Sequence, residues 1–176
     1  MLIKSSQFKA MKCIKLLLES GASIVDDYDI NGRSLIHQLV IHGGKLPRDN
    51  SNNGVEGSQI TYSITFPMQN NQNDNRICED ISLISWILEN IPQAEYSKVL
   101  SKDAFERRPL HYAAIGGFGK ITKILLDFCI IRTEQFSEFS DTFWFDNDGF
   151  TPLSYAITRG NAEVVNCILE VRNNGI

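Results

Sequence analysis

Clustered basic residues are missing. Seventeen Lys and Arg are spread through 176 residues against 21 Asp and Glu, for a net charge of −4. Phosphate contacts need grouped cations, so no nucleic-acid partner is expected. No stretch approaches the roughly 20 apolar residues that span a bilayer, and the opening Met1-Leu-Ile-Lys-Ser-Ser-Gln7 lacks a signal peptide's apolar core. The chain is therefore expected in the cytoplasm, with the nucleus open to it as well, and with no membrane partner. Cysteine is scarce: Cys13, Cys78, Cys129 and Cys167 form no Cys-x-x-Cys, which argues against a disulfide framework and a zinc site and for reduced, mostly buried thiols. Only three histidines occur, His37, His42 and His111, and none form a His-x-x-x-His pair. Adjacent carboxylates are limited to Asp26-Asp27 and Glu79-Asp80, which fall at solvated turns. No Gly-x-x-x-x-Gly-Lys-Ser/Thr is present, and Gly116-Gly-Phe-Gly119 reads as an inter-helix turn. No catalytic, cofactor-binding or metal-ligating residue is assigned, and no cofactor is expected. What remains is a chain with 43% hydrophobic residues, enough for one globular core.

The chain repeats itself. Cys13-Ile-Lys-Leu-Leu-Leu-Glu19, Leu83-Ile-Ser-Trp-Ile-Leu-Glu89, Ile121-Thr-Lys-Ile-Leu-Leu-Asp127 and Val164-Val-Asn-Cys-Ile-Leu-Glu170 share one pattern. Positions one, four, five and six are apolar, the third is polar and the seventh is acidic. Apolar residues at i, i+3 and i+4 make one helical stripe, so each segment is a helix buried on that side, with Glu19, Glu89, Asp127 and Glu170 on a solvated edge. A second pattern precedes three of these helices: Asp29-Ile-Asn-Gly-Arg-Ser-Leu-Ile-His37, Asp103-Ala-Phe-Glu-Arg-Arg-Pro-Leu-His111 and Asp146-Asn-Asp-Gly-Phe-Thr-Pro-Leu-Ser154. Each reads as a turn feeding a short helix. Gly32 and Gly149 suit positive φ, Ser34 and Thr151 suit the N-cap, and Pro109 and Pro152 suit the first helical position. Gly43, Gly117 and Gly160 end the short helices in one column, and Ala113 and Ala156 share another in which a small side chain admits a close neighbour, although Leu39 holds that place in the first copy.

These residues resemble ankyrin repeats, whose signature runs Asp-x-x-Gly-x-Thr-Pro-Leu-His-x-Ala-Ala, then Gly and an aliphatic second helix. Arg108-Pro-Leu-His-Tyr-Ala-Ala114 and Thr151-Pro-Leu-Ser-Tyr-Ala156 are close matches, and Ser34-Leu-Ile-His37 is a degenerate one. The resemblance implies an all-α solenoid of helix-turn-helix units, with His37 and His111 as buried structural imidazoles. Because no copy keeps the whole Thr-Pro-Leu-His, the cap-to-histidine hydrogen bonds are expected to be incomplete in every repeat. His37 and His111 lie 74 residues apart and Leu110 and Leu153 lie 43 apart, against a period of about 33, so two insertions are expected. The division is a single ankyrin domain over 1–176: a partial first repeat at 1–28; a repeat at 29–92 with a polar insertion at about 46–80; a repeat at 103–145 with an aromatic-rich insertion at about 129–145; and a last repeat at 146–172. Within the first insertion, Ile60-Thr-Tyr-Ser-Ile-Thr-Phe66 alternates with period two and reads as a strand or extended segment, resting on its own protein or added to a partner. The second carries Phe136, Phe139, Phe143, Trp144 and Phe145, which seal the groove beside the last two repeats or anchor a partner. With little more than a second helix at its start and no polar capping repeat at its end, the chain is expected to be part of a longer protein.

Ankyrin resemblance also implies protein binding on the concave face, through the residue after the structural histidine and through the turns. Those residues are Gln38, Tyr112 and Tyr155, with Arg33, Phe105, Arg107 and Phe150 at the turns. The alternative is that they pack repeats together or face another domain of the same polypeptide. A narrower resemblance is to fungal phosphate-metabolism proteins that join an SPX domain, ankyrin repeats and a glycerophosphodiester phosphodiesterase domain. It is carried by the order of a Cys-Ile-x-x-x-Leu helix, a repeat with Ile-His, a long polar insertion, Trp86-Ile-Leu-Glu-Asn-Ile-Pro92, Arg107-Arg-Pro-Leu-His-Tyr112, Lys120-Ile-Thr-Lys-Ile-Leu-Leu126 and a second insertion. It implies a non-catalytic module of the cyclin-dependent kinase inhibitor type, with a cyclin and kinase pair as partner. Its alternative is a structural or regulatory segment of a glycerophosphocholine phosphodiesterase. Neither a Lys-rich SPX surface nor the hydrolase's His-Arg and Glu-x-Asp motifs occur here, so phosphodiester hydrolysis by these residues is not expected.

Overall fold

The computed structural model describes residues 12–14, 16–17, 19–21, 28–44, 81–132 and 144–174. The expected strand at 60–66 and most of both insertions lie outside the described residues. Among those described, the regular structure is helical: α1 (Leu35–Ile41), α2 (Ser82–Asn90), a 3-10 turn (Gln93–Glu95), α3 (Tyr96–Val99), α4 (Pro109–Gly116), α5 (Gly119–Arg132), α6 (Pro152–Thr158) and α7 (Ala162–Asn174). Residues 12–14, 16–17 and 19 are helical as well, with Ile14 buried in the core.

Two rows of helices stack side by side. The short helices form the inner row, α1 on α4 and α4 on α6, and the longer ones form the outer row, α2 on α5 and α5 on α7. Each α4–α5 and α6–α7 pair is a hairpin within one repeat. Row packing follows from side-chain size: Ala113 and Ala156 are fully buried where inner helices meet. The middle helix α4 is buried from Pro109 through Ile115, because it is covered on both sides and by its own partner. The outer helices bury Leu83, Ile87, Ile121, Leu125 and Leu126 as expected and keep the acidic edge in solvent. Ile84, from the second position, is sealed too, however, Trp86 and Ile124 at the fourth are only half-buried, and in the first segment Leu16 and Leu17 are 66% and 49% exposed.

The helix boundaries are made by caps and turns. Thr151 is the N-cap of α6, its Oγ1 accepting the Ser154 N–H at 3.1 Å, while Ser154 Oγ accepts the Thr151 N–H at 2.8 Å. Gly117 closes α4 at φ 70°, and Gly43 and Gly160 repeat that left-handed conformation after the other short helices. At Gly117 a side chain would also strike Asn161, whose Oδ1 would lie 2.8 Å from a Cβ and whose Nδ2 donates to the Ala114 carbonyl at 2.7 Å.

Three expectations are corrected, and one element is added. The cap and histidine are fully connected in the first copy, since the Ser34 hydroxyl lies 2.9 Å from His37 Nδ1 and takes the place of threonine's. Helix α5 runs to Arg132, so the residues from 129 to 132 belong to it rather than to an insertion; the apolar pattern simply continues, and Cys129 is buried. Mostly buried thiols do not hold, because Cys13 is exposed and Cys167 is only half-buried. The 3-10 turn and α3 had no periodic signal; Tyr96 meets Phe128 edge to face at 5.2 Å, and Val99 and Leu100 enter the core.

Candidate protein-binding surface

The three turns are built alike from an aspartate. Asp29 Oδ1 accepts the N–H of Asn31 and Arg33 at 2.8 and 2.9 Å. Asp103 Oδ1 accepts from Phe105 and Arg107 at 2.8 and 2.9 Å, and Asp146 Oδ1 from Asp148 and Phe150 at 3.0 and 2.8 Å. A short polar side chain that caps its own backbone is the reason Asp holds this column. The tips are then sewn together, Ala104 N–H donating to Asn31 O at 2.8 Å and Asn147 N–H to Phe105 O at 3.0 Å.

The second carboxylate oxygen binds the inner helix. It accepts from Gln38 Nε2 at 2.7 Å in the first copy, from the Tyr112 hydroxyl at 2.5 Å in the next, and from the Tyr155 hydroxyl at 2.7 Å in the last. Arginines link each turn to the following one. Arg33 Nε lies 3.5 Å from Asp103 Oδ2, and Arg107 Nε donates to Asp146 Oδ2 at 2.9 Å while its Nη2 reaches Asp148 at 2.7 Å and the Tyr155 hydroxyl at 3.0 Å. Burial alone would raise the Asp146 pKa, but the Tyr155 hydroxyl, the Arg107 guanidinium and the Phe150 N–H together hold it below the ordinary carboxylate value. Burial first, then the neighbouring Asp103 carboxylate, pushes the Tyr112 phenol up to about 12.

Histidines close the seams from the inside. His37 Nδ1 accepts the Ser34 N–H at 3.2 Å, so its proton sits on Nε2, which donates to Arg107 O at 3.1 Å. His111 does the same, with Nδ1 accepting from Arg108 N–H at 3.0 Å and Nε2 donating to Trp144 O at 2.7 Å. Burial pushes both imidazoles down to about 4, which keeps them neutral. Trp144 is also held by the Arg108 guanidinium, 5.0 Å from its ring centroid. That fastens the end of the aromatic-rich insertion to the repeat.

All seven residues expected to bind a partner meet in this one strip, but they divide. Tyr112 is wholly buried and Arg33 is 6% exposed, because both point inward onto Asp103. Both side chains are spent on the seam between turns, which matches the alternative that such residues pack repeats together. Gln38, Arg107 and Tyr155 are half-buried and engaged on the aspartates. Phe105 and Phe150 remain outward, 41% and 40% exposed. The aspartates themselves were missed as site residues, although their column stood at the start of all three aligned turns. Among the described residues no group of three or more His, Cys, Asp or Glu could hold a metal ion, and no helix is long and apolar enough to cross a membrane.

A turn, a short inner helix and a longer outer helix, with histidine bridging to the next turn, define a stacked-repeat protein. Residues 77–175, more than half of the chain, match the family described as ankyrin repeats in three copies, and the chain belongs to that family. Ankyrin repeats serve as protein-interaction modules and carry no catalysis of their own. The chain is also similar to glycerophosphocholine phosphodiesterase GDE1 of Candida albicans, 29% identical over 88% of this chain and 13% of that protein. It is 27% identical to glycerophosphocholine phosphodiesterase GDE1 of Eremothecium gossypii, over 98% of this chain and 14% of that protein. It thus spans about a seventh of the length of these relatives.

Proposed function

We propose that the chain is a non-catalytic protein-interaction segment that holds its partner along the turn tips, with Phe105 and Phe150 as the main contacts. The observation that supports this is the contrast within the strip: two large rings stay in solvent on turns fixed by aspartate and backbone hydrogen bonds, while their neighbours are engaged inside. Rigid exposed aromatics bury much area at little entropic cost. Likeness to two glycerophosphocholine phosphodiesterases favours a structural or regulatory role in a longer polypeptide of that type, beside SPX and phosphodiesterase domains, in phosphate metabolism in the cytoplasm. Under this reading the partner is another domain of that polypeptide. The alternative is a cyclin-dependent kinase inhibitor type, in which the same tips take a cyclin and kinase pair and the protein also enters the nucleus.

Cross-linked capture from fungal extract by the 176-residue chain, compared with an F105A/F150A variant of equal melting temperature, tests this. A partner held by the first and lost by the second is the expected result. Equal capture by both overturns the tip surface, and the identity of the captured protein separates a phosphodiesterase polypeptide from a cyclin and kinase pair. Turnover of glycerophosphocholine by the purified chain would overturn the non-catalytic reading.

A further inference from the structure

Side chains along the tips alternate in kind. The Arg33 guanidinium lies 5.8 Å from the Phe105 ring centroid, Arg107 lies 5.6 Å from Phe105 and 5.6 Å from Tyr155, and Phe150 lies 5.1 Å from Tyr155 at a 31° tilt. The row therefore runs cation, ring, cation, ring, ring. It stops on an aromatic in the column where the two earlier repeats place an arginine, so the alternation ends one cation short. Charge at the tips leans slightly the same way: Asp29, Asp103, Asp146, Asp148 and Glu106 stand against Arg33, Arg107, Arg108 and Lys102. Arg33 and Arg107 are committed to carboxylates of the following turn. The carboxylates that also face solvent are Asp148, whose side chain is 64% exposed with one oxygen 2.7 Å from Arg107 Nη2, and Glu106, 48% exposed and paired with Lys102 on one oxygen, so each keeps a face open to a further cation.

We propose that the tips take a basic apolar peptide, a partner segment in which an Arg or Lys stacks over Phe150 within reach of Asp148 while an adjacent large apolar side chain covers Phe105. This rests on the reading of the tips as the contact surface, and adds the chemistry of the occupant. A guanidinium over an aromatic face gains from the ring quadrupole, and the acidic fringe steers a cationic segment to it. An acidic or phosphorylated segment meets unfavourable charge on the same turns.

The test is selection of a random peptide library displayed on phage against the immobilised 176-residue chain, with the enriched peptides resynthesised and titrated. The expected consensus is a Lys or Arg next to a large apolar residue. The F105A/F150A variant should lose affinity about tenfold or more. A D148N/E106Q variant should lose several-fold at 50 mM salt and little at 500 mM, where surface charges are screened. A consensus that is acidic or carries no cation, with binding still lost in F105A/F150A, overturns this inference and leaves the contact surface standing. Indifference to D148N/E106Q at low salt does the same. Binding that survives F105A/F150A, or no enrichment at all, overturns the surface together with its occupant.

Discussion

The repeat that starts at Asp103 and the one that starts at Asp146 share a turn, a proline-started inner helix and a longer outer helix, yet they meet the rest of the molecule differently. In the first, Arg107 and His111 both reach forward, to Asp146 and to the Trp144 carbonyl. In the second, Phe150 and Ser154 hold those columns, and Ser154 turns its hydroxyl back to Thr151 O at 2.8 Å. The packing face changes in step: Ala114 and Leu126 are sealed, while Ile157 and Leu169, in the same columns, are 61% and 38% exposed. Forward polar links and a buried face thus occur together. An ankyrin unit gains its stability from its neighbour more than from within.

Acid should separate the two most. Each buried histidine has a folded pKa of about 4 against an ordinary 6.5. As pH falls below 6.5 the unfolded chain takes up protons that the folded chain refuses, so stability present at neutral pH is lost between 6.5 and 4, by about 3 kcal/mol for each histidine. Urea unfolding at pH 7 and 4.5 measures this. Hydrogen exchange at the lower pH should show α1 and α4 opening ahead of the Thr151-Ser154 cap, which has no group titrating there. Equal protection in all three would break the comparison.

A milder separation comes from one column. Leu126→Ala should cost about 3 kcal/mol, because it empties a sealed site. Leu169→Ala should cost under about 1 kcal/mol, since much of that side chain already meets water. Thermal melts of the two variants check the difference, and similar losses would mean that the last repeat is covered as well as the middle one.

The smallest effect sharpens the comparison at the turns. Gly32 and Gly149 have φ of 70° and 78°, but the middle turn places Glu106 at φ 60° in the same column. A side chain there is strained by roughly 1–2 kcal/mol. Part of that is offset by the flexibility glycine brings to the unfolded chain, and the exposed Lys102 pairing adds little. Glu106→Gly should stabilise by about 0.5 kcal/mol, read as a small rise in melting temperature; a fall would mean that the Lys102 contact outweighs the strain.

Much of this architecture was legible in the sequence because it rests on columns. Apolar spacing marked α2, α5 and α7, and Pro109, Pro152, Gly117 and Gly160 marked the ends of α4 and α6. The strip was legible as a set of residues, but not the direction of each side chain. Tyr112 and Tyr155 look equivalent in alignment, yet Tyr112 is enclosed between α1 and α6 and wholly buried while Tyr155, on α6, is only half-buried. Asp103 draws Arg33 and Tyr112 inward at once, a three-body contact between residues 70 positions apart that periodicity does not register. The short α3 was invisible for the opposite reason, being held by tertiary contact of Tyr96 and Val99 with no repeat of its own.

One bond seen at the first seam has a further meaning for how such a chain grows longer. His37 and the Arg107 carbonyl close a circuit of 70 residues, and the entropy of closing a loop rises only with the logarithm of its length, about 0.6 kcal/mol for each doubling. Once anchors on both sides are in place, residues added between them are nearly free in thermodynamic terms. A repeat pinned in this way can accept and lose inserted sequence over evolutionary time without renegotiating its contact with the next repeat.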